Sequence, residues 1–112
     1  MGLPYRHGWY AANVGNKNPL VFNSVAHLDL KTGKRVVRSF APGDSVGEPI
    51  FVPRARDAEE GDGYVLALVH GGASNTSALM ILHAQDIASE PAAVLELPRR
   101  VPAGFHGNWV AA

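Results

Sequence analysis

Five histidines, His7, His27, His70, His83 and His106, are the side chains of this sequence best suited to metal binding or proton transfer. Imidazole is a good ligand for iron, zinc and copper. No two of them stand at a metal-binding spacing such as H-x-x-x-H or H-E-x-x-H. His27, His70 and His83 lie in or at the end of otherwise apolar runs, which reads as solvent-facing or hydrogen-bonded strand histidines. His7, between Arg6 and Gly8, reads as a surface residue. His106 has a different setting, between Gly104 and Gly107 with Phe105 and Trp109 beside it. Glycines let a backbone approach another group closely, and aromatics exclude water. That suits a histidine aimed at a fixed point such as a metal, although one histidine makes no metal site by itself.

Glu48, between Gly47 and Pro49 at the mouth of an apolar run, admits two readings. It is either a solvated strand-end carboxylate or the acceptor for the second ring N–H of a ligand histidine, which fixes that ring's tautomer. Arg54, Arg56, Arg99 and Arg100 face a nearby acidic set, Asp57, Glu59, Glu60 and Asp62, and read as surface pairs. Such pairs contribute about 0–1 kcal/mol. No phosphate-binding loop or nucleophile elbow is present, and no Ser or Thr has a histidine at a telling distance.

These residues need a scaffold, and 112 residues allow one domain at most. Ten basic and ten acidic residues cancel, so neither nucleic acid nor a membrane surface is an expected partner. Zero cysteine excludes disulfides, zinc-finger ligation and thiol chemistry. No run approaches the roughly 18 apolar residues of a transmembrane helix, and no signal peptide is expected. The expected location is cytoplasmic.

Twelve glycines and eight prolines are spread as punctuation between short runs rich in Val, Ile, Phe, Tyr and Leu. That pattern predicts seven or eight strands and no substantial helix. The runs are Tyr5 to Val14, Val21 to Leu30, Arg35 to Phe40, Pro49 to Val52, Tyr64 to Val69, Ser77 to Ala84 and Ala92 to Leu97. Gly33 is expected to supply the positive φ of a hairpin turn. Tyr64 to Val69 reads as buried on both faces. Gln85 to Pro91 reads as a loop with room for one helical turn. Asp29 and Asp86 stand 57 residues apart, as do Gly47 and Gly104. A period of about four strands suits propeller blades. It would place Glu48 and His106 at the openings of equivalent inner strands.

Two segments resemble the carotenoid oxygenase family, the carotenoid and stilbene cleavage dioxygenases. One is Gly47-Glu48-Pro49-Ile50-Phe51-Val52-Pro53 with Glu59-Glu60-Gly61-Asp62-Gly63-Tyr64. The other is Leu97-Pro98-Arg99-Arg100-Val101-Pro102 leading into Gly104-Phe105-His106-Gly107-Asn108-Trp109-Val110. Ala78-Leu79-Met80-Ile81-Leu82 and Asp29-Leu30-Lys31-Thr32-Gly33 extend the likeness over nearly the whole chain, in a flavour nearest the bacterial lignostilbene-type members. His83 stands where the family more usually has an aspartate.

The resemblance implies an all-β, antiparallel chain forming roughly the last two blades of a seven-bladed β-propeller, with approximate blade units 1–55 and 56–112. It implies a non-haem iron(II) dioxygenase that uses O₂ to cleave a double bond of an apolar conjugated substrate: a carotenoid, apocarotenoid or stilbene. It implies that His106 is the last of four iron-ligating histidines and that Glu48 is a carboxylate orienting one of them. The other three ligands belong to upstream motifs, and none of His7, His27, His70 or His83 matches one. The isolated chain is therefore expected to be inactive. The alternative is a non-catalytic β-module that acts by self-association or by completing a partner polypeptide.

Overall fold

The computed structural model describes residues 6–72 and 75–97. Among them are eight strands and no helix. In chain order they are β1 (His7–Ala12), β2 (Ser24–Asp29), β3 (Arg35–Ser39), β4 (Ser45–Val46), β5 (Ile50–Pro53), β6 (Gly63–His70), β7 (Ser77–His83) and β8 (Ala93–Leu97). All pairings are antiparallel. The first sheet is the meander β1-β2-β3; the second runs β4-β6-β7-β8, with β5 also paired to β6.

The turns follow the sequence chemistry. Gly33 has φ +76°, and its N–H donates to the Asp29 carbonyl at 2.7 Å, closing the β2–β3 hairpin. The Asp29 carboxylate accepts the Lys31 N–H at 3.0 Å, an Asx turn that helps fix the loop. Asn75, at φ 56°, turns the chain between β6 and β7. No helical turn forms in 85–91; the Asp86 N–H reaches the His83 carbonyl at 3.0 Å and the Ser89 N–H reaches the Asp86 carbonyl at 3.2 Å.

The 57-residue period has a structural counterpart. Displaced by that amount, β1, β2 and β3 overlap β6, β7 and β8, and both triplets are antiparallel meanders. β4 and β5 pair with β6, so the two sheets divide between Ser39 and Ser45.

Register assigns the faces, because directly paired residues share one side of a sheet. Val65, Ala67 and Val69 of β6 are buried and face the first sheet, where Val25 is fully buried. Leu82, Ala84 and Ile87 complete this core, with Trp9, Ala11, Val36, Phe40, Phe51 and Met80 packed around it. The other side of the second sheet carries Ile50, Val52, Tyr64, Leu66, Leu68, Leu79, Ile81 and Leu95, all half-buried or exposed. The reading of β6 as buried on both faces is thus corrected: one face is closed and the other is apolar but only half covered.

Candidate functional site

Glu48 lies in the link between β4 and β5, where the Gly47 N–H donates to the Leu68 carbonyl at 3.0 Å and Pro49 is buried. Its carboxylate is exposed and has no hydrogen-bond or ion-pair partner among the described residues. His106, with Gly104, Phe105, Gly107 and Trp109, lies outside the described residues, as do Arg99 and Arg100.

The polar centre of the described region is elsewhere. β1 and β2 place His7, Asp29, Trp9 and His27 on one face through the pairs His7–Asp29 and Trp9–His27. His7 Nδ1 and His27 Nε2 are 2.9 Å apart, and both residues are buried. One ring must donate its proton and the other accept it. The indole of Trp9 is stacked between His27, at 5.1 Å, and Phe51, at 4.7 Å, and its Nε1 donates to the Ala84 carbonyl at 2.7 Å.

A charged rim surrounds this pair. Arg6 grips Asp29 with two hydrogen bonds, at 2.9 and 2.8 Å, and holds that carboxyl well below the usual carboxylate range. A Glu60 oxygen accepts the His7 N–H at 2.9 Å and also the Arg6 N–H, which likewise lowers the Glu60 pKa. Beside the pair opens a cleft of about 160 Å³ lined by His7, His27, Asp29, Lys34, Val36 and Gln85. Burial is the main reason His27 resists protonation, the charge of His7 adds to it, and Asp29 opposes both.

The surface reading of His7 is corrected: its ring is shut in by β2 and by the 59–62 loop. A Cβ at Gly61, whose φ is +84°, would come within 2.5 Å of His7 Cδ2. His27 is hydrogen-bonded, as one of its two readings held. His70 is half-buried, and its Nδ1 is buried without a hydrogen-bond partner among the described residues. His83 is exposed against Tyr64, with ring centres 5.9 Å apart. Arg54 does form the expected surface pair, with Asp62 at 2.9 Å. The sequence reading missed Arg6–Asp29 and the His7–His27 contact. Their only advance signal was Asp29 itself, which the repeat had singled out.

No group of three or more His, Cys, Asp or Glu residues could hold a metal ion among the described residues. The two buried histidines have no third donor beside them among the described residues. An iron site needs donors beyond this set.

Comparison with known proteins locates the chain among relatives. The family described as RPE65, retinal pigment epithelial membrane protein, matches residues 1–111. Apocarotenoid-15,15'-oxygenase of Synechocystis is 38% identical over 109 residues, which is 97% of this chain and 22% of that protein. Lignostilbene-alpha,beta-dioxygenase isozyme III of Sphingomonas paucimobilis is 37% identical over 123 residues, covering all of this chain and 25% of its own length. The crystal structure of cobalt-substituted Synechocystis apocarotenoid oxygenase superposes with a TM-score of 0.91, at 37% identity, on all of this chain and 23% of that one. The chain therefore spans about a quarter of the length of the relatives it matches. The expected all-β, antiparallel architecture, part of a seven-bladed β-propeller, stands.

Proposed function

The chain belongs to the RPE65, or carotenoid oxygenase, family, and from that premise we propose that it forms the C-terminal part of a non-haem iron(II) dioxygenase. The reaction would split an alkene with one O₂, each alkene carbon leaving as a carbonyl carbon that carries one oxygen atom. The substrate would be a carotenoid, apocarotenoid or stilbene. The observation that carries this reading is the likeness to such oxygenases along the whole chain, in sequence and in backbone.

In that role His106 would hold iron, whose chemistry when bound is to activate O₂ beside the double bond. Glu48 would accept the outer N–H of a ligand histidine and fix its orientation. Its exposed carboxylate at the mouth of β5, with no partner among the described residues, leaves it available for a ring carried on another element. The described residues build no iron site of their own, so no step is assigned to them. The uncovered apolar face of the second sheet supports a larger propeller, in which a neighbouring blade covers it. No helix among the described residues is long and apolar enough to cross a membrane. A cytoplasmic location belongs to the same proposal, and cell fractionation tests it. Identity to oxygenases across the chain favours the enzyme over the free-standing module.

The test is a chimera in which this chain replaces the matching quarter of the Synechocystis enzyme. The expected result is iron binding and cleavage of an apocarotenoid to aldehydes, with no cleavage by the 112-residue chain alone. His106→Ala should lose both iron and activity. Glu48→Gln should weaken metal affinity or rate by about 10–100-fold. Full iron content and turnover in the His106→Ala chimera would overturn the assignment.

A further inference from the structure

The described histidines to which the proposed reaction gives no role include a buried pair at the junction of the two sheets. Three contacts tie β1 to the loops of the second sheet: the His7 ring packs on Gly61, the His7 N–H is held by Glu60, and two residues along the same strand Trp9 donates to Ala84. His27 anchors the ring of His7 from β2. The Gln85 side chain, whose Nε2 donates to the Gly61 carbonyl at 3.0 Å, fixes the loop from the far side.

We propose that His7 and His27 form a proton-operated clasp between the two sheets, which holds with no added proton or with one and releases when both rings are charged. The reason lies in donor counting. With both rings neutral, one facing nitrogen carries a hydrogen and the other accepts it. After one protonation the charged ring still donates to the neutral one, so the contact survives. After the second, two N–H groups point at each other across 2.9 Å with no acceptor between them. Two positive charges are then held together in a buried site, an arrangement whose cost grows as the surroundings become drier.

The charged groups facing the pair set the order of events. Asp29 on β2 and Glu60 on the 59–62 loop are both held ionised by their hydrogen bonds, so they favour the first proton. Arg6, at the start of β1, is spent on Asp29. Lys34, in the β2–β3 hairpin, lines the same cleft and disfavours added positive charge. The unfolded chain binds protons at His27 more readily than the folded one does. Stability is therefore lost as pH falls through the ordinary histidine range near about 6.5. Release of the clasp would free the 59–62 loop from β1 at that end of the sheet junction.

The experiment follows the ring C–H resonances of the 112-residue chain by NMR as pH is lowered. The fluorescence of Trp9 is followed in parallel, in a Trp109→Phe background that leaves one indole. Two separate steps are expected for His7 and His27, the lower coinciding with the change at Trp9. His27→Gln keeps a hydrogen-bonding partner for His7 but cannot be charged. It should move the Trp9 transition at least about one pH unit lower or abolish it, while His83→Gln leaves it in place. Independent titration of both rings at the ordinary value overturns the proposal. So does an unchanged transition in His27→Gln, or an equal shift in His83→Gln. If His27→Gln does not fold, the two-step titration of the unaltered chain decides alone.

Discussion

The two sheets are the same meander built twice with different interiors. In the second, the face toward the core is Val65, Ala67 and Val69 backed by Leu82, with no buried charge. In the first, the corresponding face holds His7, His27 and Asp29, and its most buried apolar side chain is Val25. The second face has few buried polar groups to pair, and the first pairs His7 with His27 and Asp29 with Arg6. The difference teaches that one strand pattern can be held by packing or by a hydrogen-bonded cluster, and that the two should fail in different ways. Packing yields to truncation at any pH. A cluster built on imidazoles yields to acid.

That contrast can be broken first at Leu82, which is fully buried. Leu82→Ala should lower unfolding stability by about 2–5 kcal/mol, measured by urea denaturation, with the loss the same at pH 7.5 and pH 6. A strongly pH-dependent loss would blur the distinction between the sheets. Next comes Gly61→Ala, which puts a methyl group against the His7 ring at a positive φ. It should cost about 1–3 kcal/mol and move the His7 ring resonances, leaving those of His83 in place. The smallest effects concern the two arginine–carboxylate pairs. Arg6→Gln should be measurably destabilising, because it leaves the 13%-exposed Asp29 side chain without its guanidinium. Its Asp29 contribution is present at neutral pH and fades as pH falls below the ordinary aspartate value of about 3.9. Arg54→Gln should leave the melting temperature unchanged, since both partners of that pair are well exposed.

The strands were legible because Gly and Pro fence the apolar runs so clearly. Ile50–Pro53, Gly63–His70, Ser77–His83 and Ala93–Leu97 fall within a residue or two of their runs. The first two runs proved too long. Val14 and Val21 belong to the asparagine-rich connection between β1 and β2, where Asn13, Asn16, Asn18 and Asn23 hold the backbone through their side chains. The two-residue strand β4 was invisible, being too short to carry a period. The site was harder to read. Glu48 was found by its flanking Gly and Pro, whereas the burial of His7 depends on residues 20 and 54 positions away, His27 and Gly61. No local pattern encodes a contact of that range.

β6 holds one more consequence. Its residues pair with β4, β5 and β7 on its two edges, while its side chains meet the first sheet on one face and an apolar surface on the other. Sequence drift has no free position along Tyr64–Val69. A polar replacement at Val65, Ala67 or Val69 enters the core, and one at Leu66 or Leu68 breaks the apolar surface. By contrast β3 begins with the exposed residue Arg35, which can be exchanged at little cost. The strand with the least visible chemistry is thus the one whose packing leaves its composition the least room to change.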